Sequence, residues 1–482
     1  MKISKSYRLG LSFRERGIGA IIPLGERKKL KIRLADIHYF GREKLDINSA
    51  QVRAYLNDIM AARKGNREAA NRLQLLAKAS ATFCIYNREE QERLEENILS
   101  FWASKSRGAG NRLEPEEPDP YRTAYYRDLG RIVHSVAFRN LAGKTQVFAF
   151  PKSPSIHTRA FHSIKVAQLA ESIGQALGLN TTLIWAIGLG HDLGHSPFGH
   201  PGEKVLDDIS HRVLDNVSEK ELLEHKKDHN SYPKFQHHFR HNIQSFRIAS
   251  ELEKYLPNRS GLNLTLEVLD GILHHWGEGN EYVLAPRSSP IYEKFLKERT
   301  RYREITLTKE EITSLLNPQE DRAFPLTYEG CVVRLADRIA YLPVDLEDAL
   351  THGFIREEAL LEEERKKLKE IRSILGKTPR EMFNTLVTNT IETSRKIGKI
   401  AMSDTIGHAM NLLQEFNYKN IYLHSDKLAF EEKIPFIFET LFKYYTEVMG
   451  MPPREAIDQI ASLTDRQVLS EFQRVTIPQS LV

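Results

Sequence analysis

The stretch His191-Asp192-Leu193-Gly194-His195-Ser196-Pro197-Phe198-Gly199-His200 holds three histidines and one aspartate within ten residues. It follows directly on an apolar run at residues 183–190, LIWAIGLG. An apolar run of this kind predicts a buried element. The clustered His and Asp side chains then lie at its end, where packing controls their pKa values and orientation. We therefore expect the functional site to be built around this stretch.

Apolar residues recur at helical spacing on both sides of this stretch and predict a mainly α fold. The predicted helices cover residues 126–141, 161–177, 242–255, 264–274, 330–349, 360–375, 391–416 and 434–449. A further helix is expected to begin near Pro201, because proline is tolerated in a first helical turn. Gly178 supplies the stop after the helix at 161–177, since glycine readily adopts the left-handed conformation that ends many helices.

The composition is typical of a soluble globular protein, with 41% hydrophobic and 28% charged residues among 482. No apolar run approaches the roughly 18 to 20 residues of a membrane span, and the polar N-terminal residues lack the apolar core of a signal peptide. We therefore expect a cytoplasmic protein without membrane contact. The two cysteines, Cys84 and Cys331, exclude a disulfide framework and a four-cysteine zinc site. Any bound metal must be held by His and carboxylate side chains.

Positive charge is concentrated at the start of the chain. The net charge is +5, whereas residues 1–33 alone hold ten Lys or Arg and only two Glu. One interpretation is a solvated basic arm. The other is an anion-binding surface for nucleic acid, nucleotides or an acidic face of another subunit.

Changes in composition along the chain divide it into four segments. Within the first, residues 18–37 favour short strands and residues 49–99 favour a helical segment. The four segments are an N-terminal extension of small α/β or mixed structure and unknown role at 1–110, a linker at 111–120, a core at 121–425, and a C-terminal helical region at 426–482 that packs on the core.

His191 and Asp192 are joined in one pattern by His162, in the preceding predicted helix, and by Asp337, in a later apolar helix. Two imidazoles and two carboxylates from three helices can converge on one divalent cation. Such a mixed nitrogen and oxygen set suits Mn, Fe, Co, Ni, Zn or Mg without selecting among them. Taken singly, His162 is also explained as a core histidine with a satisfied partner, and Asp337 as half of a buried salt bridge with a nearby Arg.

A row of side chains follows Asp337 along its helix, because Tyr341 and Asp345 recur at spacings of four. Residues four apart share one helical face. This face therefore runs from the metal carboxylate past an aromatic ring to a hydrogen-bond acceptor, although helix packing alone also explains Tyr341. Pro343 lies in the same helix, where it removes the backbone hydrogen bond to Ile339 and predicts a kink.

The order of His162, His191-Asp192 and Asp337 resembles that of the HD-domain metal phosphohydrolases. The flanking segments are similar to a narrower group, the deoxyguanosine triphosphate triphosphohydrolase (dGTPase) family. The similar segments are 131–141, 143–148, 191–200, 261–265, 333–349 and 412–422. They span about residues 121–425 in consistent order. The resemblance implies an HD-domain helical core and does not cover residues 1–110.

The resemblance implies a reaction and a cofactor. Water would attack the α-phosphorus of a deoxynucleoside triphosphate (dNTP), with dGTP as the first candidate, and release the deoxynucleoside and inorganic tripolyphosphate. One divalent metal ion per active site would be required, with Mn, Mg, Fe, Co, Ni and Zn all open. By position, the ligands would be His162, His191, Asp192 and Asp337.

Residues for proton transfer also follow from the resemblance. His200 and Glu203 match the catalytic pair of the similar enzymes. A carboxylate that is hydrogen-bonded to one imidazole nitrogen raises the basicity of the other, so His200 can exchange a proton with the water or the leaving oxygen. His195 and His241 align with histidines that reach the phosphates of the substrate in the similar enzymes.

Substrate contacts are implied in the same way. Tyr341 would pack under the sugar and disfavour a 2′-hydroxyl, while Asp345 and Gln146 would hold the 3′-hydroxyl. Arg159 and Arg338 match basic positions that meet phosphates, where guanidinium groups make bidentate contacts. Selection for deoxyribose would then depend on both the ring and the hydroxyl contacts.

The family resemblance further implies a homo-oligomer, often a hexamer, that is regulated by nucleotides or single-stranded DNA. Two alternative functions stay open. One is an HD phosphohydrolase that acts on another nucleotide, such as a nucleoside monophosphate or a signalling nucleotide. The other is a non-catalytic nucleotide-binding or DNA-binding regulator, which the retained metal ligands and the His200–Glu203 pair disfavour.

Overall fold

The structure is a computed structural model, and it describes residues 11–14, 17–23, 29–33, 61, 87–108, 110–146, 158–216, 239–254, 260–276, 279–301, 307–317 and 323–478. The chain divides into two compact units, Met1–Asn87 and Arg88–Val482. This boundary places residues 88–110 with the second unit, whereas we expected them in the N-terminal extension.

The first unit contains an antiparallel three-stranded sheet in the order β1-β2-β3. Its strands are β1 at Leu11–Arg14, β2 at Gly17–Pro23 and β3 at Lys29–Arg33. In the register of the second pair, Gly19 lies opposite Arg33. The short strands predicted between residues 18 and 37 are confirmed. The helical segment predicted at 49–99 contains the helix Arg88–Ile98 near its end. Residues 49–60 and 62–86 and the side chains of the basic segment lie outside the described residues.

Helices build the second unit, and the predicted mainly α fold is confirmed. In chain order they are α1 Arg88–Ile98, α2 Ala124–His134, α3 Val136–Asn140, α4 Arg159–Ala176, α5 Thr181–Gly190, α6 His200–Leu214, α7 His241–Arg247, α8 Leu266–Leu273, α9 Pro290–Arg301, α10 Lys309–Leu315, α11 Tyr328–Thr351, α12 Glu362–Leu375, α13 Pro379–Ile397, α14 Asp404–Asn417, α15 Ser425–Glu431, α16 Ile434–Lys443, α17 Pro453–Ser462 and α18 Asp465–Thr476. Two short strands, β4 at Val283–Leu284 and β5 at Ile400–Ala401, pair antiparallel. None of the described helices has the length and apolar composition needed to cross a bilayer.

Helices α4, α5 and α11 pack together at the centre of the main core. Leu183, Ile184 and Ile187 of α5 are fully buried, and burial of each such side chain contributes about 1.5–3 kcal/mol. The α4–α5 contact is close, because a Cβ atom on Gly188 would lie 2.9 Å from Ala167. This packing brings the C-terminal end of α5 against both other helices.

Two of the predicted helices are each divided in the structure. Residues 126–141 form α2 and α3, because Ser135 has an extended backbone and its hydroxyl accepts a hydrogen bond from the Phe138 amide at 3.1 Å. Residues 391–416 are divided between α13 and α14 by β5, and Gly398 ends α13 at a φ of 69°. Apolar spacing continues across both breaks, so periodicity alone does not reveal them.

The C-terminal helices pack on α6. Phe438 of α16 and Ile457 of α17 share a buried apolar cluster with Leu206 and Ile209 of α6. This second cluster supports the first turns of α6, where several of the predicted catalytic residues lie. The C-terminal region is therefore part of the framework of the candidate site.

The segment at 111–120, which we expected to be a linker, is bound into the second unit at Arg112. Nη1 of Arg112 lies 2.6 Å from Oδ1 of Asp128, and Nε of Arg112 lies 2.8 Å from Oε1 of Glu116. The amide of Leu266 also donates a hydrogen bond to the Asn111 carbonyl at 2.8 Å. A buried arginine with two carboxylate partners fixes this segment to α2 and to the start of α8.

Candidate active site

The four residues predicted to bind a metal lie together where α4, α5 and α11 meet. Nε2 of His162, in the first turn of α4, lies 2.8 Å from Oδ1 of Asp337 in the middle of α11. Nε2 of His191, directly after α5, lies 3.9 Å from the same oxygen. Oδ1 of Asp192 lies 3.5 Å from His191 Nε2. The side chains thus come from three elements that the core packing holds together.

The hydrogen bonding of His191 fits a metal ligand. Its Nδ1 lies 2.8 Å from the Gly188 carbonyl oxygen, which can only accept, so Nδ1 carries the proton and Nε2 has a free lone pair. Nε2 is buried and has no hydrogen-bond partner among the described residues. A buried acceptor without a donor is costly, and a cation at Nε2 would remove this cost.

Asp192 and Asp337 supply negative charge to this group. Burial opposes ionisation of Asp192, but His191 and Arg159 outweigh it and hold its pKa well below the usual range. Burial also opposes ionisation of Asp337, but the hydrogen bond and charge of His162 lower its pKa to about 2. Both carboxylates are therefore anionic at neutral pH and can balance the charge of a divalent cation.

Arg159 and Gln146 lie at the edge of this group. Nη1 of Arg159 donates a hydrogen bond to Oδ2 of Asp192 at 2.9 Å, and Nη2 donates to the Gln146 carbonyl at 3.4 Å. Nε of Arg159 and Oε1 of Gln146 are buried and have no hydrogen-bond partner in the described part of the chain. The structure thus brings both predicted substrate contacts to the metal-ligand residues.

A second group of ionisable side chains consists of His195, His200, Glu203 and His241, whose candidate ligand atoms all lie within 4.8 Å of one another. Oε2 of Glu203 accepts hydrogen bonds from Nδ1 of His241 at 2.8 Å and from its backbone N–H at 3.2 Å. Nδ1 of His200 lies 3.9 Å from the same oxygen, too far for a hydrogen bond. The hydrogen bond predicted between His200 and Glu203 is therefore made between His241 and Glu203 instead.

Helix ends explain this exchange of partner. His241 begins α7, and amide groups at a helix N-terminus have no partner within the helix. Glu203, in the first turn of α6, accepts from one of them and so lies beside the His241 ring. Burial opposes ionisation of Glu203, but His241 outweighs it and lowers the pKa of Glu203. His200 stays near solvent, with 56% of its side chain exposed.

His195 packs against the other two histidines of the second group. Its ring stacks on His241 with centroids 4.6 Å apart and planes inclined by 14°. Burial, with Arg159 next in effect, holds the pKa of His195 well below its usual range, so His195 is neutral at physiological pH. A neutral imidazole can donate one hydrogen bond and accept another, which suits contact with a phosphate oxygen or with water.

The loop that carries His195 is held by residues far away in the sequence. Nζ of Lys144 donates a hydrogen bond to the His195 carbonyl at 2.5 Å. Asp465, at the start of α18, accepts from the amide of Phe198 at 3.0 Å. Phe198 has a φ of 64°, an uncommon conformation for a side chain of this size. Contacts from both sides thus fix a strained turn just before α6.

His275 is buried next to the predicted ligands, although we did not select it from the sequence. Its ring centroid lies 4.9 Å from that of His191 and 5.2 Å from that of His241. Burial, with the nearby His191 next in effect, lowers the pKa of His275 to about 3. The available signal was the His274-His275 pair at the end of an apolar helix, but the sequence does not show which of the two faces the site.

The predicted sugar contacts lie further along α11. Asp345 is buried and accepts a hydrogen bond from the Tyr422 hydroxyl at 2.5 Å, and burial raises its pKa to about 7. Tyr341 is partly buried against the main core. The helix continues through Pro343 to Thr351, so the proline does not end it, and the kink stays a prediction.

Arg338 does not reach the metal-ligand group. Its guanidinium donates to the Glu281 carbonyl at 2.9 Å, to Asn411 Oδ1 at 2.6 Å and to Gln414 Oε1 at 2.7 Å. Successive helical residues are rotated by about 100°, so Arg338 faces α14 while Asp337 faces α4. This arrangement differs from the predicted phosphate contact, because the guanidinium binds two side-chain amide oxygens of α14 and the backbone carbonyl of Glu281.

Comparison with known proteins places this geometry in a family. The model of the HD domain matches residues 159–342, and that of the phosphohydrolase-associated domain matches residues 400–474. The chain is 34% identical to a deoxyguanosinetriphosphate triphosphohydrolase-like protein of Clostridium perfringens (strain SM101 / Type A), over 82% of this chain and 97% of that one. The chain belongs to the family of deoxyguanosinetriphosphate triphosphohydrolase-like proteins.

Other members of the family are similar over the same length. The relative from Caldanaerobacter subterraneus subsp. tengcongensis is 32% identical over 81% of this chain and 96% of its own. The relative from Desulfatibacillum aliphaticivorans is 32% identical over 82% of this chain and 99% of its own. The resemblance seen in the sequence motifs is thus confirmed, and the chain is an HD phosphohydrolase of the dGTPase-like family.

Proposed function

We propose that this protein is a metal-dependent dNTP triphosphohydrolase, with dGTP as the first candidate substrate. It would cleave the bond between the α-phosphorus and the 5′ oxygen, and release deoxynucleoside and tripolyphosphate. The main support is the position of the four predicted metal ligands, which fit a divalent cation. They lie near the stacked rings of His195 and His241, and His241 is hydrogen-bonded to Glu203. His275 contacts both His191 and His241, so the two groups lie within the reach of one triphosphate.

The metal would be held by His162, His191, Asp192 and Asp337, and its identity among Mn, Mg, Fe, Co, Ni and Zn is open. A divalent cation bound there draws charge from phosphoryl oxygens and so lowers the barrier to attack. The buried lone pair of His191 and the two anionic carboxylates support this assignment.

Arg159 orients both the site and the substrate in this proposal. Its Nη1 holds Asp192 at 2.9 Å, while its Nε, which has no hydrogen-bond partner among the described residues, would donate to a phosphate oxygen. A guanidinium that binds a carboxylate and a phosphate together fixes their separation. Correct placement of the α-phosphorus relative to the water is worth several kcal/mol of barrier.

Two protons must move during the reaction. The attacking water loses one, and the departing 5′ oxygen gains one. In the proposal His241 exchanges one of them, because its Nδ1–H donates to Glu203 at 2.8 Å, which leaves Nε2 as the exchanging atom and raises its basicity. His200, whose ring centroid lies 5.6 Å from that of His241, exchanges the other. His195 donates a hydrogen bond to a phosphate oxygen.

Selection of the sugar would depend on α11 and Gln146. Tyr341 would pack against the deoxyribose where a 2′-hydroxyl would clash. Asp345 and Oε1 of Gln146, which has no hydrogen-bond partner in the described part of the chain, would accept from the 3′-hydroxyl. Tyr422 fixes the Asp345 carboxylate at 2.5 Å, which prepares one acceptor for the sugar before substrate binds.

The proposed assembly and regulation rest on the family resemblance alone. We propose a homo-oligomer, with a hexamer as the first candidate, and a nucleotide or single-stranded DNA as effector. The substrate of the proposal is a dNTP, and the proposed location is the cytoplasm.

Incubation of the purified protein with Mn²⁺ and each of the four dNTPs, followed by ion-exchange chromatography, tests the proposed reaction. We expect deoxynucleoside and tripolyphosphate in equal amounts, with dGTP hydrolysed fastest. Sequential release of diphosphate and monophosphate products would refute the proposal. Faster hydrolysis of a ribonucleotide than of its deoxy form would favour the alternative HD phosphohydrolase and would contradict the role of Tyr341.

A further inference from the structure

Two groups of three potential metal ligands overlap at His191. One consists of His162, His191 and Asp337, and the other of His191, Asp192 and His275. Within each group the candidate ligand atoms lie within 4.8 Å of one another. His275 is the one member of these groups that the HD pattern of the sequence does not include.

The hydrogen bonds of His275 leave its Nε2 available to a cation. Nδ1 lies 2.6 Å from the Ile272 carbonyl oxygen, which can only accept, so Nδ1 carries the proton. Nε2 is fully buried and has no hydrogen-bond partner within the described residues. His191 has the same arrangement, with its Nδ1 on the Gly188 carbonyl. Metal-binding histidines commonly donate their other ring N–H to a backbone carbonyl in this way.

The two overlapping groups cannot hold two separate cations. Nδ1 of His191 is used by the Gly188 carbonyl, so His191 offers one lone pair, on Nε2. One imidazole lone pair binds one cation. The group that contains His275 and the group that contains His162 can therefore both use His191 only if they share one ion.

We propose that His275 is a ligand of the metal ion at the HD residues, which completes a set of three imidazoles and two carboxylates. We base this on the metal site of the proposed function and not on its substrate. Five protein ligands leave one position of an octahedral ion for water or a phosphate oxygen. Three imidazole nitrogens favour Fe²⁺, Co²⁺, Ni²⁺ or Zn²⁺ over Mg²⁺, which prefers oxygen ligands.

Co²⁺ titration of the full-length, chelator-treated protein tests this proposal without any nucleotide. We expect one Co²⁺ per chain and visible absorption bands that change in His275→Ala. The Co²⁺ affinity of that variant should fall at least about tenfold, since even indirect partners of metal ligands contribute about 10- to 100-fold. His274→Ala is the matched control, because His274 is equally buried but bonds Asp270 at 2.9 Å. It should bind Co²⁺ within about threefold of the wild type.

A measurement on the wild type avoids any loss of folding in the variant. In the proton NMR spectrum of the Co²⁺ protein in water, each bound imidazole contributes one strongly shifted, exchangeable N–H signal. Three such signals are expected, and two would overturn the proposal. An unchanged spectrum and affinity in a folded His275→Ala would overturn it as well. Because no nucleotide is present, a failure here is separate from a failure of the proposed triphosphohydrolase activity.

Discussion

Replacement of Glu203 by glutamine tests the histidine that we assign to proton transfer. Both hydrogen bonds from His241 end on one oxygen of Glu203, at 2.8 Å from Nδ1 and 3.2 Å from the backbone N–H. A glutamine oxygen can occupy the same position and keep both bonds. The variant therefore removes the negative charge while it preserves the orientation of the ring.

The size of the effect follows from this geometry. When His241 gains a proton in the transition state, its charge lies about 4 Å from the Glu203 carboxylate, an interaction of about 4 kcal/mol at an effective dielectric constant of about 20. Loss of that interaction corresponds to about 10³-fold in kcat. Solvent near the half-exposed His200 screens part of it, so we expect a decrease of about 10²- to 10³-fold.

The assay is steady-state hydrolysis of dGTP with Mn²⁺, across a range of pH values. We expect kcat to fall while the Mn²⁺ affinity and the melting temperature stay close to the wild type. The acidic limb of the kcat profile should also move to lower pH, because the protonated imidazole loses its stabilising anion. Glu357→Gln is the control, since Glu357 pairs at the surface with Arg372 at 2.7 Å. A kcat for Glu203→Gln within about fivefold of the wild type would refute the role of the pair.

Three other outcomes are expected. Gly194→Ala should lower the melting temperature and the activity together, because its Cβ would lie 2.1 Å from the Ser245 nitrogen; an unchanged thermal unfolding curve would contradict this packing. Asp345→Asn should stabilise the protein more at pH 8 than at pH 5. Burial raises the pKa of Asp345 to about 7, so its ionised form disfavours folding as the pH rises through 7, and an equal melting-temperature difference at both pH values would argue against it. Chelator should lower the melting temperature and Mn²⁺ should restore it, because Asp192 and Asp337 are anionic and lie 3.5 Å and 3.9 Å from Nε2 of His191; scanning calorimetry would show no such change if no metal binds.

Much of the fold was predictable because it depends on local patterns. The apolar run at 183–190 predicts a buried helix, and α5 buries every residue of this run except Trp185. Helix ends were less predictable, because they depend on single side chains. The Ser135 hydroxyl ends one helical segment and starts the next through a bond to the Phe138 amide, and the apolar periodicity does not change there.

The metal-ligand residues His162, His191, Asp192 and Asp337 could be selected from the sequence because their order and flanking motifs are linear features of the chain. Their roles stay predictions. Local helix geometry also gave the common face of Asp337 and Asp345. The order of the motifs and the spacing of residues within one helix can both be read directly from the sequence.

Which side chain pairs with which was decided by the tertiary structure. Glu203 lies three residues from His200 but bonds His241, because the tertiary structure places the first residue of α7 against its carboxylate. Arg338 adjoins Asp337 in sequence but faces α14. His275 joins the ligands through the position of α8 beside α5. Each contact depends on distances between helices that lie far apart in the chain, and residue spacing alone does not encode those distances.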